Sequence, residues 1–261
     1  MPELNRANRM VADVDIRILK TKEAFLNFLT ANTTTVGLSA DAVYAMAKGA
    51  RRIAFPNPTE GTMTIEAQVY PFKFFALLSD GKIHNDAVYA VNTTIKATTA
   101  GELSLSVSSG SIVAGTIFVY PKGEFGDSDS AIAGTFAEGK FTATTTADIE
   151  VDAEYDVGFV VSRTSGVKRI SFDNANLPQD YFITMKTLDK DEDGGMTPFL
   201  MTAYKATIQR SFDLSFSSEG DPASVTLTFD LMEDKNGNIL DFVEIEDELE
   251  INADSSNSSN P

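Results

Sequence analysis

The residues with the greatest potential for chemistry are three aspartates at alternate positions, Asp189, Asp191 and Asp193, followed by Gly194. Carboxylates at this spacing can converge on a hard cation such as Ca²⁺, and Gly194 is in the sixth position counted from Asp189, as in an EF-hand loop. The twelfth position, where an EF-hand needs a bidentate Glu, is Leu200. Flanking helices are not evident either. We therefore interpret the segment as a solvated surface turn and predict no metal ligands.

The rest of the chain offers little to a catalytic mechanism. His84 is the only histidine, and it lies in a stretch typical of an exposed turn. Its spatial neighbours are not visible in a sequence, so a Ser-His-Asp triad stays open, but no G-x-S-x-G signature accompanies it. The chain has no Cys, and neither a P-loop nor a dinucleotide fingerprint occurs. We predict that the protein is not an enzyme and has no catalytic residues and no cofactor.

The charge of the chain is strongly one-sided. It has 21 Lys and Arg against 38 Asp and Glu, a formal net charge of −17 over 261 residues. Such a surface repels nucleic-acid phosphates and anionic lipids, which argues against specific DNA or RNA binding. Two interpretations stay open: solubility at high concentration, or a surface that faces DNA without adhering to it.

The hydropathy pattern argues against a membrane protein. No apolar run approaches the roughly 18 to 20 residues that span a membrane. The start of the chain lacks the apolar segment of a signal peptide. We expect no membrane contact and assembly in the cytoplasm.

The elements that would position these residues are mostly strands, and the clearest pattern runs from Met201 to Glu246. Three segments alternate between apolar and polar residues, namely 212–216, 225–231 and 240–245. Two turns separate them, namely 217–222 and the oxygen-rich run 234–238, whose Asn-Gly pair suits a tight hairpin. We predict a β-meander with one buried face and with Thr226, Thr228 and Asp230 on its polar face.

Shorter patterns precede this stretch. We predict strands at 13–18 and 62–69, a helix capped by Thr21 over 22–29, a Thr-rich loop at 31–36 and a buried helix over 72–78 after Pro71. Residues 39–55 fit a capped helix and a strand equally, with Gly49 interrupting both patterns. Their Arg51 and Arg52 are typical of a solvated strand end or a salt bridge to a partner.

The composition changes in the middle of the chain, which becomes rich in Thr, Ser, Ala and Gly. Short strands punctuated by glycines indicate a compact β-sandwich inserted into a larger β domain. The predicted fold is mainly β, a sandwich or barrel with one or two short helices plus the inserted module. The predicted parts are a flexible leader 1–12, a discontinuous β domain 13–85 and 167–246, the inserted module 86–166, and a mobile acidic, Ser/Asn-rich tail 247–261.

Two stretches on either side of the inserted module resemble a known family. They are KGARRIAF at 48–55 with GTMTIEAQVYPFKFFALLSDGKI at 61–83, and the segment 189–241, which includes Gly-Asp-Pro and a final Asp-x-x-Gly turn. Together they resemble the major tail, or tail tube, proteins of tailed bacteriophages. The resemblance covers about half of the chain, and the inserted module lies outside it.

The resemblance implies a structural virion protein in the phage tail. It implies stacked, commonly hexameric rings that form a tube through which DNA passes as cargo, with other tail proteins as further partners. It also implies that the helix at 72–78 packs against the sandwich and that the loop 188–196 contacts another subunit.

Two alternatives to the tail tube stay open. One is another virion component, such as a capsid decoration protein or an injection-tube subunit. The other is a carbohydrate-binding or adhesion module, in which the inserted module would present aromatic side chains to a glycan. The aromatic candidates are Tyr89, Tyr120, Phe125 and Tyr155.

Overall fold

The computed structural model describes residues 5–214 and 222–245 and confirms a mainly β fold of the sandwich type. The predicted mobile tail and most of the turn at 217–222 lie outside the described residues. The strands are β1 Arg6–Ala7, β2 Asp13–Ile18, β3 Ala24–Phe28, β4 Thr33–Ser39, β5 Ala42–Ala47, β6 Ala50–Pro56, β7 Glu60–Ala67, β8 Ala87–Lys96, β9 Glu102–Ser104, β10 Ser111–Ile112, β11 Phe118–Pro121, β12 Gly134–Ala137, β13 Lys140–Ala143, β14 Glu154–Arg163, β15 Tyr181–Asp191, β16 Met196–Ile208, β17 Val225–Met232 and β18 Leu240–Glu244. Three 3-10 helices accompany them, at Phe72–Leu78, Ser128–Ser130 and Thr146–Asp148.

The chain divides into two compact units. The first is formed by the described parts of Met1–Lys82 and Phe172–Pro261, and the second by Ile83–Ser171. The first unit contains one antiparallel sheet in the order β3-β2-β15-β16-β17-β7-β4, to which β1 adds on β15 and β18 adds on β16. Residues Arg6 and Ala7, within the segment predicted as a flexible leader, are therefore held in the sheet through Asp191 and Lys190 of β15.

The core of the first unit follows from the alternation read in the sequence. Val225, Leu227 and Phe229 of β17 are fully buried, and the intervening residues face outward. The predicted helix after Pro71 is present as the 3-10 helix Phe72–Leu78, which buries Phe74 against Phe28 with ring centroids 4.9 Å apart. Burying apolar area of this kind supplies most of the stabilisation of a sheet domain.

The helix predicted over 22–29 is wrong, because residues 24–28 form strand β3. Phe25 and Phe28 are both buried, and their spacing of three mimics a helical face. The pairing of β2 with β3 shifts between Ile16 and Arg17, so Phe25 is an extra residue of β3 without a partner in β2. This bulge lets the rings of Phe25 and Phe28 both reach the core from one strand.

The β-meander predicted between Met201 and Glu246 is also wrong in its pairing. Strand β16 is 13 residues long, and β17 pairs with its C-terminal half while β18 pairs with its N-terminal half. The turn at 234–238 therefore joins two strands that follow one another along the same edge of β16, and it reverses no chain direction. Phe212–Leu214 belong to no strand, and the remainder of that predicted strand lies outside the described residues.

Residues 39–55, which the sequence left undecided, form strands β5 and β6, a two-stranded hairpin separate from the main sheet. Its turn consists of Lys48 and Gly49, with φ of 51° and 77°. Positive φ at both central residues is typical of the type I′ turn that matches the twist of a hairpin. The Thr-rich loop predicted at 31–36 is likewise replaced by strand β4, since β-branched threonines fit a pleated strand.

The second unit has its own two sheets and core. Strand β14 pairs with β8 along one edge and with β10 and β11 along the other, and β12, β13 and β9 form a three-stranded sheet. Its core is made of apolar side chains from these strands and the loops between them, namely Ala97, Leu103, Leu105, Val119, Phe141, Ala143, Ile149, Tyr155, Val157, Phe159 and Val161.

Gly61 marks a close approach inside the first unit. A Cβ at this position would lie 2.9 Å from Cβ of Leu231 and 3.0 Å from Cδ2 of Leu38. We expect Gly61→Val to lower the free energy of unfolding by about 1–3 kcal/mol, the usual cost of overpacking. Gly37→Val is the matched control, because its Cβ would meet only Thr62 Oγ1 at 3.7 Å. Chemical denaturation of both variants checks this, and equal stabilities would contradict it.

Candidate functional site

One polar surface of the first unit is the outward face of strands β4, β7 and β17, here called the polar face. The register aligns its side chains in rows across the three strands, because directly opposite residues point to the same side. The rows are Thr33–Glu66–Thr226, Thr35–Thr64–Thr228 and Gly37–Thr62–Asp230. Apolar residues on the opposite side of these strands, such as Met63, Ile65 and Leu227, anchor the sheet in the core.

The polar face combines small neutral groups with a few negative ones. The sequences of β4, β7 and β17 contain no Lys or Arg, and their only charged residues are Glu60, Glu66 and Asp230. Asp230 Oδ1 accepts a hydrogen bond from Gln209 Nε2 at 2.7 Å, which holds the carboxylate at the surface. A polyanion that approaches this face meets hydroxyls and negative charge, with no cation on these strands to bind it.

Sequence reasoning predicted β7 and β17 as strands, but it missed β4 and the pairing that unites the three strands in one face. Thr226, Thr228 and Asp230 lie where the alternation of β17 predicts. The threonines of β4 and β7 join them through pairings between residues about 160 positions apart in the chain, such as Thr64 with Thr228. The alternating threonines at 33 and 35 were the available signal, and they were interpreted as part of a loop.

The three aspartates of the possible cation loop do not converge. Strand β15 continues to Asp191, so the predicted loop 188–196 is reduced to a tight turn between β15 and β16. Asp189 Oδ1 accepts from Asn8 Nδ2 at 2.8 Å, and Asp191 Oδ1 accepts from the backbone N–H of Gly195 at 2.6 Å. Within residues 5–214 and 222–245, no group of three or more His, Cys, Asp or Glu side chains could hold a metal ion.

The oxygen-rich turn at 234–238 is held by its own backbone. Asp234 Oδ1 accepts from the N–H of Asn238 at 2.9 Å and from that of Asn236 at 2.8 Å. Both backbone hydrogen bonds lower the pKa of the Asp234 carboxyl, and the one from Asn238 has the larger effect. Its carboxylate therefore has a structural role in the turn.

His84 is half-buried, whereas the sequence suggested an exposed turn. It forms an isolated antiparallel bridge with Arg169, in which each residue donates its N–H to the other's carbonyl at 2.8 and 2.9 Å. Arg169 also donates to Asp86 Oδ2 at 2.9 Å, and this hydrogen bond lowers the pKa of Asp86. His84 therefore lies where two segments of the chain meet, and its backbone hydrogen bonds hold these segments together.

The four aromatic residues considered for glycan binding lie in different surroundings. Tyr155 lies in the core of the second unit and accepts a hydrogen bond from the N–H of Glu150 at 2.7 Å. Tyr120 and Phe125 contact each other edge to face at 5.2 Å, while Tyr89 lies near Arg163 with a donor–acceptor distance of 3.5 Å.

A second surface, which the sequence did not resolve, is the hairpin of β5 and β6, here called the basic hairpin and defined as Ala42–Pro56. Every residue of β6 is exposed, and Arg51 lies over the ring of Tyr44 at 4.3 Å from its centroid. Among the described residues, neither Arg51 nor Arg52 forms an ion pair.

Among the helices in the described ranges, none is long and apolar enough to cross a membrane.

Comparison with known proteins supplies a family for this fold. The family model of the YomU/Tube protein family matches residues 9–245, which include the second unit, most of the first and all three strands of the polar face. A search of curated proteins found no match. The chain thus belongs to the YomU/Tube protein family, a phage-associated family of structural tube proteins, in agreement with its resemblance to tail tube proteins.

Proposed function

We propose that the protein self-assembles into stacked rings that form the tube of a phage tail, and that DNA passes through this tube without being specifically bound. The observation that carries the proposal is the polar face, a three-strand surface rich in threonine and free of Lys and Arg. In this proposal the polar face lines the channel, and membership of a family of tube proteins supports it.

The chemistry of the polar face suits a channel wall for DNA. Duplex DNA presents one negative charge per about 1.7 Å of its axis, and each wall cation that neutralised a phosphate would retard its passage. Threonine hydroxyls are neutral, and Glu66 and Asp230 repel phosphate at short range. A wall of this kind keeps the polymer hydrated and prevents it from adhering.

The open edges of the main sheet suit lateral assembly. In the described residues β3 pairs only with β2, and β4 pairs only with β7. Their outer edges therefore present backbone N–H and C=O groups that another copy of the chain can pair with. Rings closed in this way, commonly of six copies, would unite the polar faces around one channel, and other tail proteins would cap the stack after assembly in the host cytoplasm.

Negative-stain imaging of the purified protein tests the proposal. We expect rings or tubes with a central channel, at concentrations where the chain associates. Caps or trimers would instead indicate a decoration protein. Monomers under all assembly conditions would overturn the proposal.

A further inference from the structure

The basic hairpin has an apolar face that no described residue covers. Val43 lies opposite Phe55, and Ala45 opposite Ile53, so these four side chains share one face of the two-stranded sheet. Val43, Ile53 and Phe55 are 60%, 57% and 56% exposed. A two-stranded hairpin is only marginally stable alone in water. Contiguous exposed apolar side chains of this kind mark a surface that another protein covers.

The charge of the basic hairpin indicates which kind of surface covers it. Residues 42–56 contain Lys48, Arg51 and Arg52 and no Asp or Glu, in a chain whose formal net charge is −17. The three cations cluster at the turn end. Arg51 lies opposite Met46 on the face of Tyr44, whereas Ile53 and Phe55 lie on the other, apolar face. Lys48 in the turn and Arg52, the extra residue at the register shift, are the cations that can accompany the apolar face. An acidic surface with an adjoining apolar area would be complementary to this arrangement.

The chain itself provides such a surface at the turn between β15 and β16. Four carboxylates and one lysine lie within Asp189–Asp193, here called the acidic tip. Arg6, which pairs with Asp191 across the strands, is engaged in an ion pair with Glu244. The acidic tip therefore keeps an excess of negative charge.

The sheet beside the acidic tip presents aromatic side chains on the matching face. On β16, Thr197 lies opposite Asp189 and two residues before Phe199. On β18, Glu244 lies opposite Phe199 and two residues after Phe242. The register therefore places Asp189, Asp191 and the two rings on one side of the sheet. The rings are stacked with centroids 5.6 Å apart, and Phe242 is 58% exposed. Charge followed by apolar surface is thus the order in both places.

We propose that the basic hairpin of one copy docks on the acidic tip and the adjoining Phe199–Phe242 surface of a second copy. The proposal rests on the proposed function, since it specifies a contact by which copies assemble. Lys48 and Arg52 meet the carboxylates of the acidic tip, and Val43, Ile53 and Phe55 cover the exposed aromatic pair. In the single chain the hairpin, Glu192, Asp193 and Phe242 are exposed, and the rest of the docking surface is half-buried, so neither partner has to unfold to form the contact.

Charge reversal in the full-length chain tests this contact. Lys48→Glu with Arg52→Glu should raise the protein concentration needed for assembly by about tenfold or more, because like charges then face each other. Lys20→Glu with Lys235→Glu is the matched control, since both lysines are exposed and the change in net charge is the same. Sedimentation velocity measures the assembly, and thermal unfolding confirms that both variants are folded. Equal assembly by the two variants would overturn the docking proposal and leave the proposed function standing.

A mixing experiment then tests whether the contact joins different copies. A second variant, Glu192→Arg with Asp193→Arg, should also assemble poorly alone, whereas a mixture of it with the hairpin variant should assemble at near wild-type concentrations. In the mixture each reversed hairpin meets a reversed tip of the other variant. Failure of the mixture to assemble, with wild type assembling normally, would overturn the proposal. Failure of wild type itself would instead overturn the proposed function.

Discussion

Replacing Thr228 with lysine is expected to leave the tube assembled and to stop or strongly slow the passage of DNA. Thr228 is in the central row of the polar face, where it lies opposite Thr64. In a ring, the substitution would add one cation per copy at the same height of the channel wall. Each cation near a phosphate releases counterions, and the resulting affinity depends steeply on salt.

The measurement is retention of duplex DNA by assembled tubes together with the infectivity of phage that carry the variant. We expect retention by Thr228→Lys to weaken as salt rises, with a slope set by the number of phosphates contacted. Thr228→Val is the control for shape, because it keeps the β-branched side chain without charge. Thr142→Lys, on an exposed strand position of the second unit, is the control for charge alone. Wild-type behaviour of Thr228→Lys would show that the polar face does not line the channel.

The sequence predicted those elements whose burial alternates cleanly. Strands β7 and β17 each bury every second residue, β2 buries Val14 and Ile16, and each strand is where the alternation predicts it. Local pattern failed where a bulge changed the periodicity, as at Phe25 of β3. It also failed at 39–55, where an exposed hairpin buries no face and so leaves no periodic signal to read.

The pairing of the strands was harder to predict than their positions, because pairing depends on contacts that no local pattern encodes. The alternating segments at 225–231 and 240–245 were correctly predicted as strands, and the Asn-Gly turn between them suggested a hairpin. In the structure β16 is long enough for both strands to pair with the same edge, one after the other, so they do not pair with each other. The same reason explains why β7 and β17 were predicted as strands but not as neighbours in one polar face.

The second unit is expected to be removable without loss of the first. His84 and Arg169 exchange two backbone hydrogen bonds, so the chain leaves and returns at adjacent positions. The unit also has a complete core of its own. Replacing Asn85–Lys168 with Asn-Gly should close a two-residue hairpin on this pair, because a residue pair with both hydrogen bonds formed is the one that such a turn requires.

We expect the shortened chain to unfold cooperatively, with a free energy of unfolding for the first unit within about 1 kcal/mol of its value in the full chain, because a short loop closes at little entropic cost. It should still assemble, since the basic hairpin, the acidic tip and the polar face all belong to the first unit. Calorimetry and sedimentation velocity check both expectations. Replacement with Pro-Pro is the control, since proline has no N–H and cannot adopt positive φ. A soluble shortened chain that remains monomeric would show that the inserted unit takes part in assembly, and an insoluble one would show that the first unit depends on it to fold.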